Sequence, residues 1–535
     1  LRRGEAPSFE AVARSDRASF YGADAGTRYA VARYLLLYMQ EQAALPRLVA
    51  AARAGAEVDA SGYAALTEVA AAGGGGRGRA SCSACATPSP DPQAVGKAAR
   101  VQYGPAPMST TAPVTLSIHA VAHGGAGVGR AEGEGADPRT WLVDGALPGE
   151  RVAATPLKAA KRMIRGALVD VVEASPARAR PPCPLASTCG GCAWQHVAPA
   201  AQIDLKRAIV DGQLRHFGVK VSKAVASPKA LGDRRRARLH DTREAGGFAL
   251  GFREEGSRAL VDVPRCPILD EPLNHALGRL RGFAARLPAE GEVFALSDGA
   301  RAVLGLPGLR PSEALDQAIR EALLDDVLVG VALRGGRRRH SVGETTLELD
   351  GGGGLIPMRA GPFVFTQAQA EQNAALVRHV AAMAQAKGKK VLELHAGAGN
   401  FTRELARAAE RVWAVDESRE AIAYLRELAA DRRLPVNAKH SDAAALLPKI
   451  AAGDKRYEVV VLDPPRAGLG EAASAALGRV ATGRIVYVSC DPATLVRDLA
   501  VLTKTHTIVD VTIFDMMPMT PEVEVVVTLA AGGRR

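Results

Sequence analysis

The chain has 535 residues, room for about three domains, and 47 % of them are hydrophobic, enough for sizeable cores. No apolar run nears the roughly 18–20 residues that a helical membrane span requires, and Leu1 to Glu5 carry no signal-peptide pattern, so a cytoplasmic protein without a membrane partner is expected. Lys and Arg number 68 against 57 Asp and Glu, a balance of +11 that suits a polyanionic partner such as nucleic acid, and seven unevenly placed cysteines argue against a disulfide framework and for metal binding or catalysis.

Residues 1–107 read as foreign to the rest. Arg28 to Ala52 allow one amphipathic helix, but it runs into a Gly-rich stretch, Gly73 to Arg79, and a Pro/Ser-rich one, Thr87 to Gln93. Such composition buries little and is expected to be disordered, or a spurious upstream extension with the working protein starting near Met108. Cys82 and Cys85 in this tract read as an incidental CxxC.

From Val114 to about Ala177 the pattern is short strands and turns. Val114–Ile118 alternates, His123 to Arg130 is a glycine-rich hairpin or loop, and Trp141–Asp144 is a strand. Pro148-Gly149-Glu150 is a turn, and Gly166 to Glu173 closes the unit. A small all-β barrel over 112–177 is expected. Lys158, Lys161, Arg162 and Arg165 would form a basic loop, touching phosphates or merely solvated. The stretch resembles a TRAM domain, which implies RNA binding.

Residues 178–355 make a mixed central segment. Cys183, Cys189 and Cys192, followed far downstream by Cys266, suit a four-cysteine zinc site or an iron–sulfur cluster, and a triplet plus a distant fourth beside Pro267 leans to the cluster. Basic runs at Arg234–Arg236 and Arg337–Arg339 fit either phosphate contact or a solvated face. Gly351 to Gly354 then breaks the chain.

From Gly361 to Arg535 strands alternate with helices, so a doubly wound α/β domain is expected. Lys390–Leu394 is a buried strand running into His395-Ala-Gly397-Ala-Gly399-Asn400 and a helix from near Phe401. A second strand, Arg411–Val415, ends at Asp416, where a carboxylate can take ribose hydroxyls. A dinucleotide is the competing ligand, but no third glycine packs a helix under a pyrophosphate, so a cofactor without phosphates, such as S-adenosylmethionine, fits better.

Two further strands end in reactive groups, Tyr457–Leu462 before Asp463 and Arg484–Ser489 before Cys490. Strand ends in such a sheet share one rim, so Asp463 and Cys490 should meet. A helix N-terminus just after Cys490 is expected to favour its thiolate. Carbon 5 of uracil is too weak a nucleophile to take a sulfonium methyl until a thiolate adds to carbon 6, and a separate base must then remove the carbon-5 proton. Glu522 and Glu524, two apart on an expected final strand, would share a face and offer that base. The bland alternatives are a structural cysteine and a solvated edge.

Five motifs then appear in order: Phe365-Thr-Gln367, Gly397-Ala-Gly399-Asn400, Asp463-Pro-Pro-Arg466, Ser489 to Leu499, and Asp515 to Glu524. Over 112–535 the chain resembles the RNA (uracil-5-)-methyltransferase family. The resemblance implies that Cys490 is the nucleophile, Glu524 the base, and Gln367, His395, Asn400, Asp416, Asp442 and Asp463 the cofactor contacts. Barrel and cysteines together resemble the 23S ribosomal RNA branch more than the transfer RNA branch. They imply a four-iron, four-sulfur cluster on Cys183, Cys189, Cys192 and Cys266, structural or used in docking RNA. His395 stands where Tyr or Phe is usual, Met517 where Phe is, and Glu522 where His is common. No obligate protein partner is evident. The rivals are an idle RNA-binding protein, a methylthiolating enzyme, a cytosine-5 methyltransferase, or action on transfer RNA.

Overall fold

The computed structural model describes residues 112–244, 247–335 and 339–532. The N-terminal helix, Cys82, Cys85 and Met108 lie outside the described residues, as do Arg337 and Arg338.

The first unit is a closed five-stranded barrel, β1 (Val114–Val121), β2 (Gly127–Ala131), β3 (Thr140–Val143), β4 (Arg151–Ala159) and β5 (Met163–Glu173), ordered β1-β2-β3-β5-β4. Alternation puts Leu116, Ile118, Trp141, Val143, Val152 and Ile164 inside. Closure leaves no edge strand to pair with other chains.

Helix α1 (Pro199–Leu214) and strand β6 (Lys223–Val225) follow the cysteine triplet. A seven-stranded sheet comes next, built from β7 (Arg236–Glu244), β8 (Gly247–Arg253), β9 (Leu260–Asp262), β10 (Glu290–Ser297), β11 (Ala302–Pro307), β12 (Leu328–Arg334) and β13 (His340–Gly343). Its order is β13-β12-β11-β10-β7-β8-β9, and α2 (Glu271–Gly282) and α3 (Glu313–Ala322) pack into its core. The glycine run 351–354 proves to be the connection inside a small hairpin of β14 (Leu347–Leu349) and β15 (Met358–Ala360).

The last unit holds α4 (Ala370–Ala384), β16 (Lys390–Leu394), α5 (Thr402–Leu405), β17 (Arg411–Asp416), α6 (Arg419–Asp431), β18 (Val436–His440), α7 (Ala443–Ala452), β19 (Tyr457–Leu462), α8 (Glu471–Val480), β20 (Ala481–Ser489), α9 (Pro492–Leu502), β21 (His506–Phe514) and β22 (Glu524–Ala531). The sheet order is β18-β17-β16-β19-β20-β22-β21-β6, with β16 to β20 parallel and β22 antiparallel to both neighbours. This is the expected doubly wound α/β fold, with one addition. Strand β6, from the stretch expected to belong to the central segment, pairs in parallel with β21 as the eighth strand. A three-residue strand lying 165 positions before the next strand of its sheet, from Val225 to Lys390, carries too little period to be assigned from sequence.

The strands are apolar on both faces because both are covered. In β19, Val459 and Val461 enter one core while Val460 and Leu462 enter the other. Each such side chain contributes about 1.5–3 kcal/mol of burial. The chain runs outward from β16 to β18 and returns at β19, so the order reverses between β16 and β19. Ligands bind at such a switch point, outside the carboxyl ends of the strands.

Candidate functional site

Two loops flank the switch point. After β16, His395 takes φ 58°, in the left-handed region, followed by Gly397 at φ 56° and Gly399 at φ 101°. A β-carbon on Gly399 would lie 2.7 Å from Leu425 Cδ1, so the loop packs directly onto α6. A non-glycine residue held left-handed is strained, and such strain gathers at ligand sites. Asp416, at the end of β17, accepts from Gly397 N (2.8 Å) and Ser418 N (2.7 Å), which fixes its carboxylate against the glycine loop.

Gln367, His395, Asn400 and Asp463 line one cleft with about 730 Å³ of open space, together with Phe365 and Gly397. Asn400 and Asn373 exchange amide hydrogen bonds of 2.9 Å in both directions. Asp416 and Asp442 are not part of that lining. Asp442 caps α7, accepting from Ala444 N at 2.7 Å. Burial lowers the His395 imidazole, while Asp416, Glu417 and Asp442 pull it the other way, so all three acids stand near the ring.

Sequence alone did not single out Glu393. Alternation along β16 turns it to the side of Val391, where it is 1 % exposed. Its Oε2 accepts from Thr402 Oγ1 at 2.6 Å and its Oε1 has no partner, and burial pushes it up to about 8. The available signal was a carboxylate inside an apolar run.

The second cluster lies on the same rim. Strands β20 and β22 are antiparallel with Ser489 opposite Val525, so the residue after one strand meets the first residue of the other: Cys490 beside Glu524. Asp463 leaves β19 next to them, and the two carboxyls and the thiol repel one another's charged forms. Burial and the Glu524 and Asp463 carboxylates push the Cys490 thiol up to about 12, with Arg466 opposing. Burial raises Asp463 to about 7 and Glu524 well above the carboxylate range.

Two expectations are corrected here. The helix after Cys490 does not leave it a thiolate, because burial and the Glu524 and Asp463 carboxylates outweigh any help from that end, whose N–H groups of Ala493 (2.9 Å) and Thr494 (3.0 Å) already donate to Asp491. A carboxylate there offsets the pull of the helix N-terminus. Nor is Glu522 on the final strand beside Glu524. The strand begins at Glu524, and Glu522 sits in the preceding turn, paired with Arg466 at 2.9 Å. The pair Pro518 and Pro521 delays the strand's start.

Cys183, Cys189, Cys192 and Cys266 line one pocket with apolar walls that include Leu185 and Phe252. Arg234, from the first basic run, lines it too, and burial together with the neighbouring thiols acts on its charge. Among the described residues, no group of three or more His, Cys, Asp or Glu is drawn together tightly enough to hold a metal ion. No helix among them is long and apolar enough to cross a membrane.

A glycine loop after the first parallel strand, an acid after the second and a cleft at the switch point define the S-adenosylmethionine-dependent methyltransferase class. Comparison with known proteins narrows it. The tRNA (Uracil-5-)-methyltransferase family matches residues 356–531. The chain is 34 % identical to the 23S rRNA (uracil(1939)-C(5))-methyltransferase RlmD of Alkalilimnicola ehrlichii, over 77 % of this chain and 95 % of that one. It is 35 % identical to the protein of the same name from Chromohalobacter salexigens, over 76 % and 87 %. Pyrococcus abyssi tRNA (uracil-54, C5)-methyltransferase, solved with S-adenosyl-L-homocysteine, shares the fold at a TM-score of 0.61 and 24 % identity, over 78 % of this chain and 99 % of that one. The chain belongs to the RNA (uracil-5-)-methyltransferase family.

Proposed function

We propose that this protein methylates carbon 5 of one uridine in 23S ribosomal RNA, the position equivalent to uridine 1939 named for its relatives, and does so in the cytoplasm. The observation that carries the reading is the meeting of Cys490, Glu524 and Asp463 on the rim that also bears the glycine loop.

The target uridine leaves its stack to reach Cys490, since carbons 5 and 6 are inaccessible within a paired helix. Cys490 rests as a thiol, so its proton passes to solvent as sulfur adds to carbon 6, and Arg466, beside it, offsets the charge that forms. Carbon 5 gains enolate character, and S-adenosylmethionine, when bound, supplies the methyl group that it takes. Glu524, in its ionised form, removes the carbon-5 proton, the electrons of that bond restore the 5,6 double bond, and Cys490 leaves. Gln367, Asn400 and Asp463 would hold the cofactor from the cleft, His395 from the glycine loop, Asp416 from the end of β17, and Asp442 from the start of α7.

The barrel serves as a TRAM-type RNA binder, supported by exposed Lys158, Lys161 and Arg162 around its β4–β5 hairpin. Cys183, Cys189, Cys192 and Cys266 would hold a four-iron, four-sulfur cluster, which would tie the loops structurally. Four thiols lining one pocket with apolar walls support that reading. Iron and sulfide analysis of the chain prepared without oxygen should give stoichiometric iron that Cys266→Ser lowers, and zinc in its place would overturn this part.

The deciding experiment incubates the full chain with labelled S-adenosylmethionine and unmodified ribosomal RNA, then analyses the nucleosides. Labelled 5-methyluridine that disappears in Cys490→Ala is the expected result. Label only with transfer RNA would move the substrate, and cofactor binding with no labelled uridine in either RNA would overturn the reading.

A further inference from the structure

The loop between Asp515 and Glu524 is held from the cysteine-bearing side of the molecule. Met519 takes φ 65° there, a left-handed conformation that costs a non-glycine residue about 1–3 kcal/mol. Both of its backbone groups are tied. Its N–H donates to Gln202 Oε1 at 2.8 Å, and its carbonyl accepts from Trp194 N at 2.9 Å. Gln202 is itself wholly buried, with Nε2 donating to Val197 O at 3.0 Å. One helical turn further along α1, Lys206 reaches Asp515 and donates to Met517 O at 3.0 Å. The Met519 side chain packs in the same core as Cys192 and Cys266. On the other side Pro521 abuts the barrel, where a β-carbon on Gly125 would lie 2.9 Å from Pro521 Cβ and 2.6 Å from Trp194 Nε1.

Glu524 follows five residues later, 7 % exposed, and its Oε1 has no partner. Its aim is therefore set by the backbone that delivers it. We propose that Gln202 is a positioning residue: by holding the Met519 turn left-handed, it aims the Glu524 carboxyl at the carbon-5 proton, and so makes the cysteine-bearing segment part of the catalytic frame.

The proposal rests on the catalytic reading above and adds a particular signature. Addition of Cys490 and methylation of carbon 5 do not use Glu524. Only the last step does, in which the carboxylate takes the carbon-5 proton, the C–H electrons form the 5,6 double bond, and the carbon 6–sulfur bond breaks to return the thiolate. A misaimed base leaves methylated RNA joined to the protein.

The test uses the full chain with ribosomal RNA and S-adenosylmethionine, quenched in denaturant and resolved for RNA-linked protein, with Glu524→Gln as the marker of a blocked last step. Gln202→Met is expected to accumulate the linked species and to lower kcat about 100-fold, the loss that a displacement of about 1 Å brings, with KM and S-adenosyl-L-homocysteine binding unchanged. Gln202→Glu, held neutral by its burial, keeps an oxygen for the Met519 N–H and an O–H for Val197 O, and should retain turnover. Should Gln202→Met fail to bind S-adenosyl-L-homocysteine, Met519→Val decides, since a β-branched residue resists the left-handed turn while Gln202 stays in place, and it should trap the same species. Unchanged turnover, or slower turnover with no trapped species, overturns the proposal alone. A wild-type chain that neither methylates uridine nor forms the linked species overturns the catalytic reading, and this proposal with it.

Discussion

The ammonium of Lys206, wholly buried, lies 2.5 Å from the Asp515 carboxylate, 309 positions along the chain. Burial lowers the lysine and Asp515 raises it, so the pair holds its charge only as a pair. Taking one partner away leaves a buried charge uncompensated, at about 3–5 kcal/mol, whereas replacing both with apolar groups is often neutral. Lys206→Met should therefore lower the denaturant midpoint strongly, and Lys206→Met combined with Asp515→Leu should recover most of the loss. A single variant as stable as the parent would show that the pair does not hold α1 to the loop.

Such pairings were invisible in the sequence because nothing local marks them. Period and turn chemistry gave the barrel, the α/β sheet and the strand ends at Asp463 and Cys490, since each of those is a property of a few consecutive residues. The meeting of Asp463 and Cys490 was legible through sheet topology, whereas the place of Glu524 beside them came only with the family resemblance. Strand β6 was not, being three residues long and placed only by its partner β21. Charge state failed for the same reason. The helix end beside Cys490 was readable, but its occupation by Asp491 and the pressure from Glu524 depend on where side chains fall in space.

Cys490 should behave as a poorly ionised thiol in the free protein. The thiolate is the form that alkylates, so the rate with iodoacetamide should be low at neutral pH and climb only in strongly alkaline solution. Glu524→Gln removes a carboxylate that opposes the thiolate, which shifts the profile to lower pH and speeds alkylation at a fixed alkaline pH. Arg466→Ala removes the opposing cation and shifts it the other way. Profiles that coincide in all three proteins would mean that these charges do not act on Cys490.

Asp463 connects the cleft to the thiol, and its raised pKa gives cofactor binding a pH dependence with a definite sign. Burial favours the neutral acid, so the carboxylate is lost as pH falls through about 7. The sulfonium of S-adenosylmethionine is a cation and gains from the carboxylate, while S-adenosyl-L-homocysteine has an uncharged sulfur and gains little. Affinity for S-adenosylmethionine should thus weaken below neutrality, by at most about tenfold per pH unit, since one pKa unit of differential binding corresponds to about 1.4 kcal/mol. Binding of S-adenosyl-L-homocysteine should stay flatter over the same range. Calorimetric titration of both ligands from acid to neutral pH measures the difference, and Asp463→Asn should remove it. Parallel profiles for the two ligands would place the sulfonium away from Asp463, and the cleft's polarity would then have to be assigned the other way round.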